Sequence, residues 1–282
     1  MGFFDLISDA KENIEKSQKA REYISDAKRL VREADELYAA AYAKVTDYAY
    51  ETESKIRSHQ AYKKNIASEL NSSIKNTLVT FREFNIDSKV TAPTISKLNS
   101  LNIGGIENMA SFSNSLTHHI VSSPISMMLD LFISEDDYYE AKRQRDEAKI
   151  YKQQMKNEKE KLYLYRDKMG AIRDFMSEEK QELETLMSKV RGMNNELNHG
   201  MQKTSFTERE ANFLKGTHMI VGQIVDLLNT EFLTDDFDIT MQYKKNFENI
   251  CNINRNLPSS PSISDASTAR MLKVILDGSI VW

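Results

Sequence analysis

The chain carries no glycine and a single proline, Pro93, between residues 3 and 103. Glycine and proline are the residues that most often end helices, so a stretch of this length predicts one or two very long helices. Glycine and proline are scarce again later in the chain. No proline occurs between Pro124 and Pro258, and the charged stretch 135–169 lacks glycine. The first prediction for this chain is therefore two long helical arms on either side of a charge-poor central segment.

Each predicted arm has a heptad pattern of apolar residues. In the first arm they recur at alternating spacings of three and four, at Ile24, Ala27, Val31, Ala34, Tyr38, Ala41, Val45 and Tyr48. In the second arm a similar register runs from Ala141 to Leu197, and only Gln144, Glu158 and Glu179 interrupt it. Small residues at alternate layers let two helix axes approach closely, which we interpret as antiparallel pairing of the arms. Pairing within one chain and pairing between two chains would bury the same seam, so both remain open.

These patterns predict an all-α fold, an elongated antiparallel helical hairpin or coiled coil with a smaller C-terminal helical bundle. An N-terminal amphipathic turn and the first arm occupy 1–84, a charge-poor central connector 85–134, and the second arm 135–200. C-terminal helices follow over 201–256, and a linker with a terminal helix over 257–282. Thr207 is expected to cap one of these helices together with Glu210, three residues later.

Charge and cysteine content limit the functional classes. The chain has 38 basic and 42 acidic residues and a net charge of -4, so no overall field favours nucleic acid. Cys251 is the single cysteine, which excludes an intramolecular disulfide and suits a reducing compartment. Without a secretory signal pattern or an apolar run of ~18 residues, we expect a cytoplasmic protein, with peripheral membrane attachment as an option.

The sequence contains no motif that is diagnostic of a particular reaction. We find no glycine-rich phosphate loop, no Gly-x-Ser-x-Gly elbow and no His-Glu-x-x-His zinc helix, and we therefore predict a protein that is not an enzyme and has no cofactor. The nearest metal pattern is Glu196 with His199, but a carboxylate-bridged di-iron bundle needs two such pairs, so an exposed polar helix end is the simpler interpretation. Cys251 is expected to be a small buried hydrophobic residue.

Three apolar places are candidates for contact with a partner or a membrane. The first is the N-terminal apolar stripe that includes Phe3, Phe4 and Ile7. The alternative for this stripe is that it folds back on the protein's own helical bundle. The second lies in the charge-poor segment 98–133, as a buried turn region or a conditionally exposed tip. The third is the terminal tryptophan. The contact residues predicted at the second and third places are Met127, Met128, Leu129, Phe132 and Trp282.

Two loose resemblances accompany these patterns. The start Met-Gly-Phe-Phe, followed by an amphipathic turn and long helices, resembles phage-shock and ESCRT-type membrane-remodelling proteins. Long helices around a charge-poor centre resemble helical pore-forming toxins of the cytolysin A kind. Neither resemblance carries a diagnostic motif, so the sequence is assigned to neither family.

The functional prediction is a non-enzymatic helical scaffold or accessory subunit that binds a protein partner, with a membrane surface or a second copy as further partners. No nucleic acid is expected among its ligands. The alternative is a membrane-active effector, of the pore-forming or membrane-remodelling type, that uses the central apolar segment.

Overall fold

The computed structural model describes residues 3–82, 88–101, 138–200 and 207–276. The long helices are α1 (Phe3–Glu69), which continues through one π-helical turn (Leu70–Ile74) into α2 (Lys75–Arg82), and α4 (Tyr138–Gly200). The shorter helices are α3 (Ser88–Asn99), α5 (Glu208–Asn229), α6 (Met241–Asn256) and α7 (Ala266–Leu276). The predicted all-α class, with a long helix packed against another and smaller C-terminal helices, is confirmed.

The chain divides into two compact units. Unit 1 comprises Met1–Glu51 and Ser115–Met169, and unit 2 comprises Thr52–Asn114 and Gly170–Trp282. Both α1 and α4 therefore contribute one part to each unit.

In unit 1, α1 and α4 bury the predicted heptad seam between them. The predicted positions of α1 from Ile24 to Val45 are buried, and Tyr48 is half-buried. Ala20 and Ile24 pack with Ala141, and the next layers of the seam form a cluster of Ala27, Val31 and Ala148. These small side chains allow the close approach that the sequence indicated.

The two long helices run parallel, and the antiparallel arrangement predicted from the sequence is wrong. In unit 1, Tyr151 donates a hydrogen bond to Asp35, 116 positions earlier, and Lys152 bonds to Glu33, 119 positions earlier. In unit 2 the corresponding separations are 120 for His59 with Glu179, 122 for Glu69 with Arg191 and 121 for Thr77 with Asn198. A nearly constant difference between contacting residue numbers means that both helices advance in the same direction, whereas antiparallel helices would keep the sum constant.

The error has a physical reason. Alanine layers permit close packing in either direction, so they do not determine it. Direction depends on the connection, because a short turn can join only antiparallel neighbours and a parallel pair needs a long crossover. The chain that links α2 to α4 includes α3 and is long enough for such a crossover, whereas the sequence prediction assumed a hairpin.

In unit 2, α5 is the central helix and packs against α3, α6 and α7. Its start matches the prediction, since Thr207 accepts a hydrogen bond from the backbone N–H of Glu210 and the Glu210 carboxylate accepts one from the Thr207 N–H. Gly216 lets α7 approach, because Leu272 occupies the space that a side chain would need there. The core of this unit combines these helices with the unit 2 parts of α1 and α4.

Candidate functional site

A buried polar cluster interrupts the apolar seam of unit 2. Its members are His59 and Lys63 on α1, Glu179 on α4 and Tyr243 on α6. Their exposed fractions are 5%, 2%, 0% and 1%, so four polar side chains are withdrawn from water together. We call this group the buried cluster.

The carboxylate of Glu179 is the centre of the buried cluster. His59 Nε2 donates to Glu179 Oε2 over 2.9 Å, and Lys63 Nζ lies 3.0 Å from Oε1. The Tyr243 hydroxyl donates to the same Oε1 and also accepts a hydrogen bond from Lys63. Each polar group thus has a partner, as burial at this depth requires.

Glu179 is ionised in this setting. Burial alone would raise its pKa, but the charge of Lys63 and the hydrogen bonds from His59 and Tyr243 outweigh burial and lower the pKa to about 2. Burial is also the largest influence on the other two groups, since it lowers the pKa of Lys63 and raises that of the Tyr243 phenol well above its usual value. The result is a carboxylate held by three donors.

Aromatic rings close the cluster on the side of α6. The Lys63 ammonium lies 4.5 Å from the ring centre of Tyr243 and 5.2 Å from that of Phe232. Phe175 contacts both of those rings and Phe247 as well. Cation–π attraction offsets part of the cost of burying the lysine. Away from these rings, His59 also lines a groove at the protein surface.

A surface groove of about 220 Å³ adjoins the buried cluster at His59. Tyr62 and Met176 supply its apolar surface, and its polar lining consists of Lys55, Ser58, His59, Arg173, Ser177 and Lys180. Every charged side chain in this lining is basic. We call it the basic groove.

A second, larger cavity of about 420 Å³ lies between the start of α5 and α7. Its charged lining mixes Glu208 with Arg209 and Lys273, so it has no single sign. Of the two cavities, the basic groove has the more selective electrostatic character.

Most of the contact residues predicted from the sequence lie outside the described part of the chain. Phe3, Phe4 and Ile7 belong to the first turns of α1, but their side chains are not among those described. The residues predicted in the central segment and at the C-terminus, Met127, Met128, Leu129, Phe132 and Trp282, are outside the described ranges. Their roles remain predictions.

The weaker chemical candidates, Glu196, His199 and Cys251, are not members of the buried cluster. Glu196 accepts a hydrogen bond from Ser262 over 3.3 Å, while His199 is exposed at the end of α4. Among the described residues, no group of three His, Cys, Asp or Glu side chains could hold a metal ion. Cys251 is half-buried against the core, where burial raises the pKa of its thiol to about 11.

Sequence reasoning found one member of the buried cluster and missed three. Glu179 was recognised as a polar interruption of the second arm, but the seam of the first arm was followed only as far as Tyr48. In the structure, the buried seam continues at spacings of four and three through Thr52, Ile56, His59 and Lys63. Following the register through those polar residues would have located His59 and Lys63, whereas nothing in the local sequence of α6 marks Tyr243.

In the part of the chain that the structure describes, every helix is too short or too polar to span a bilayer. No protein-family model, curated protein or solved structure matches this chain, so the site has to be interpreted from its own residues.

Proposed function

We propose that the protein is a non-enzymatic helical scaffold or accessory subunit that binds a helix of a protein partner along the outer face of α4. The observation that carries this proposal is a row of large exposed side chains on α4 in unit 1. Tyr139, Ile150 and Leu164 are exposed to 71%, 60% and 64%. Burying them against a partner would remove this apolar area from water.

These three side chains share one face of the helix. They are 11 and 14 residues apart in sequence. At about 100° per residue, these spacings place all three within a sector of roughly 40°. A row of this kind suits a partner helix that lies alongside α4, because the apolar side chains of helices repeat with the same period.

The residues beside the row distinguish between partner orientations. On one side of the row lie three basic residues, Arg143, Lys161 and Lys168. On the other side lie two acidic residues and one basic residue, Asp146, Glu160 and Lys142. A second copy running parallel would set the basic side of each chain against the more acidic side of the other. An antiparallel copy would set like sides together. Several of these charges also pair within α4, so they select orientation more than they add affinity.

Asn157 supports the parallel arrangement. It lies midway between Ile150 and Leu164, seven residues from each, and is exposed with them. A single asparagine at a repeated seam position favours one register in parallel helix pairs, because its amide pairs best with its equivalent. The partner that fits this face is therefore a second copy of the chain, packed parallel through α4.

Sedimentation equilibrium over a range of protein concentrations tests the proposal. The wild-type chain should self-associate, and the double variant Ile150→Glu/Leu164→Glu should remain monomeric, because two carboxylates would then be buried on each side. Met241→Glu is the matched control, since Met241 is 81% exposed but lies in unit 2. A monomeric wild type, or equal association of the wild type and the double variant, would refute the proposal.

A further inference from the structure

The basic groove combines positive charge, hydroxyl groups and a fixed imidazole. Lys55, Arg173 and Lys180 bring three cationic side chains to its lining, and Ser58 and Ser177 bring hydroxyls. Arginine and lysine are the side chains that most often bind phosphate groups. The Ser58 hydroxyl can add a neutral donor, whereas the Ser177 hydroxyl already donates to the carbonyl oxygen of Arg173 over 2.9 Å. The lining is therefore chemically suited to an anion with several acceptor oxygens.

His59 gives the groove a rigid polar wall. It is buried and is held through Nε2 by the ionised carboxylate of Glu179. That carboxylate is itself held by Lys63 and Tyr243. A side chain held by neighbouring groups before binding needs little reorganisation when a ligand arrives. The buried cluster thus orients one of the groups that a ligand in the groove would meet.

The size of the groove limits the ligand. Its volume of about 220 Å³ is smaller than pockets that enclose drug-sized molecules, which start at roughly 300 Å³. It is several times larger than the ~30 Å³ that one water occupies in the liquid. A phosphate group fits this range, and a nucleotide would extend beyond it.

We infer that the basic groove of unit 2 binds a small phosphate-type oxyanion, either free phosphate or the phosphate group of a small monoester. Tyr62 provides an apolar surface on which the carbon part of a monoester would lie. Glu184 is an acidic neighbour that competes for Lys180, since its carboxylate lies 3.8 Å from the Lys180 ammonium. At this separation the ion pair is loose and exposed, so an entering phosphate replaces it at little cost.

The test is a titration of the purified full-length chain with inorganic phosphate at constant ionic strength, followed by the imidazole NMR signals of His59. We expect a saturable shift of these signals. The double variant Lys55→Gln/Lys180→Gln should weaken binding by at least about tenfold, because two charged donors are lost. The control Lys244→Gln/Lys245→Gln changes net charge equally at two exposed lysines of α6 outside the groove, and its affinity should match the wild type.

A second titration with phenyl phosphate distinguishes the two sources of the phosphate group. Tighter binding of phenyl phosphate than of phosphate identifies a monoester as the ligand class, and equal or weaker binding identifies the free ion. Absence of a saturable shift with both compounds would overturn the inference. Equal loss of affinity in the groove variant and the control would also overturn it, because it would indicate unspecific surface binding.

Discussion

His59 and Glu179 are 120 positions apart in the chain, and His59 Nε2 lies 2.9 Å from Glu179 Oε2. Lys63, four residues after His59 on α1, reaches the other oxygen of the same carboxylate. A buried carboxylate that must meet two donors on a neighbouring helix is satisfied at one axial alignment only. Buried polar groups in helix seams are known to specify register in this manner, and we hypothesise the same role here.

The first prediction concerns the charge balance of the buried cluster. Lys63→Met should destabilise unit 2 by about 3–5 kcal/mol, because the Glu179 carboxylate would remain buried without its cation. Chemical denaturation followed by circular dichroism measures the change. The double variant Lys63→Met/Glu179→Leu should lose much less than the sum of the two single variants, since it removes both charges. Additive losses would contradict the interpretation of these residues as one coupled pair.

The second prediction tests the parallel direction of α1 and α4. In a Cys251→Ser background, Ala27→Cys/Ala148→Cys should form an intramolecular disulfide, because both alanines belong to one small buried cluster of unit 1. Non-reducing electrophoresis detects the product as a monomer of altered mobility. The control pair Ala20→Cys/Leu162→Cys should not react within one chain, because Leu162 lies roughly 30 Å along α4 from the Ala141 that packs on Ala20. Comparable cross-linking of both pairs would contradict the parallel register.

Local sequence signals predicted the helices well and their direction badly. The heptad spacing from Ile24 to Val45 identified the buried face of α1 because helical periodicity is a property of neighbouring residues. The capping box at Thr207 was found for the same reason, since both of its partners lie within four residues. Direction, in contrast, depends on contacts between residues about 120 positions apart, and the alanine layers are compatible with both directions.

Two members of the buried cluster could have been predicted by following the heptad register of α1 through its polar residues. His59 and Lys63 occupy seam positions, and their polarity made the apolar pattern seem to end where the seam in fact continues. Basic residues in one seam and Glu179 in the other already indicate which layers meet, because a buried charge needs an opposite charge. Tyr243 could not be found in this way, since its place beside Glu179 depends on how α6 packs in three dimensions.

The third prediction concerns pH. His218 is fully buried on α5, and neither ring nitrogen has a hydrogen-bond partner among the described residues. Burial lowers the pKa of His218 from 6.5 to about 4. Between these two pH values the His218 imidazole is protonated in the unfolded chain and stays neutral in the folded chain. Stability should therefore fall as the pH drops from 6.5 to about 4, by about 3 kcal/mol at most.

Denaturation midpoints at several pH values across this window measure the effect. His218→Leu should remove most of the slope, because leucine has a similar volume and does not titrate. Glu179 contributes a separate loss that begins only below its unfolded pKa of 4.5 and continues toward about 2. An unchanged slope in His218→Leu would show that other groups cause the pH dependence.

The fourth prediction uses two helical glycines with opposite surroundings. A Cβ atom added at Gly192 of α4 would meet nothing within 4 Å, whereas one added at Gly216 of α5 would lie 2.5 Å from Cδ2 of Leu272. Gly192→Ala should stabilise the protein by about 1 kcal/mol, because alanine restricts the unfolded chain and favours helix. Gly216→Ala should destabilise it by about 1–3 kcal/mol, because either the Leu272 side chain has to leave its present position or α7 has to move away from α5 to relieve the overlap. Denaturation curves of the two variants measure the same chemical change in two environments, and shifts of the same sign would contradict the packing of α7 on α5.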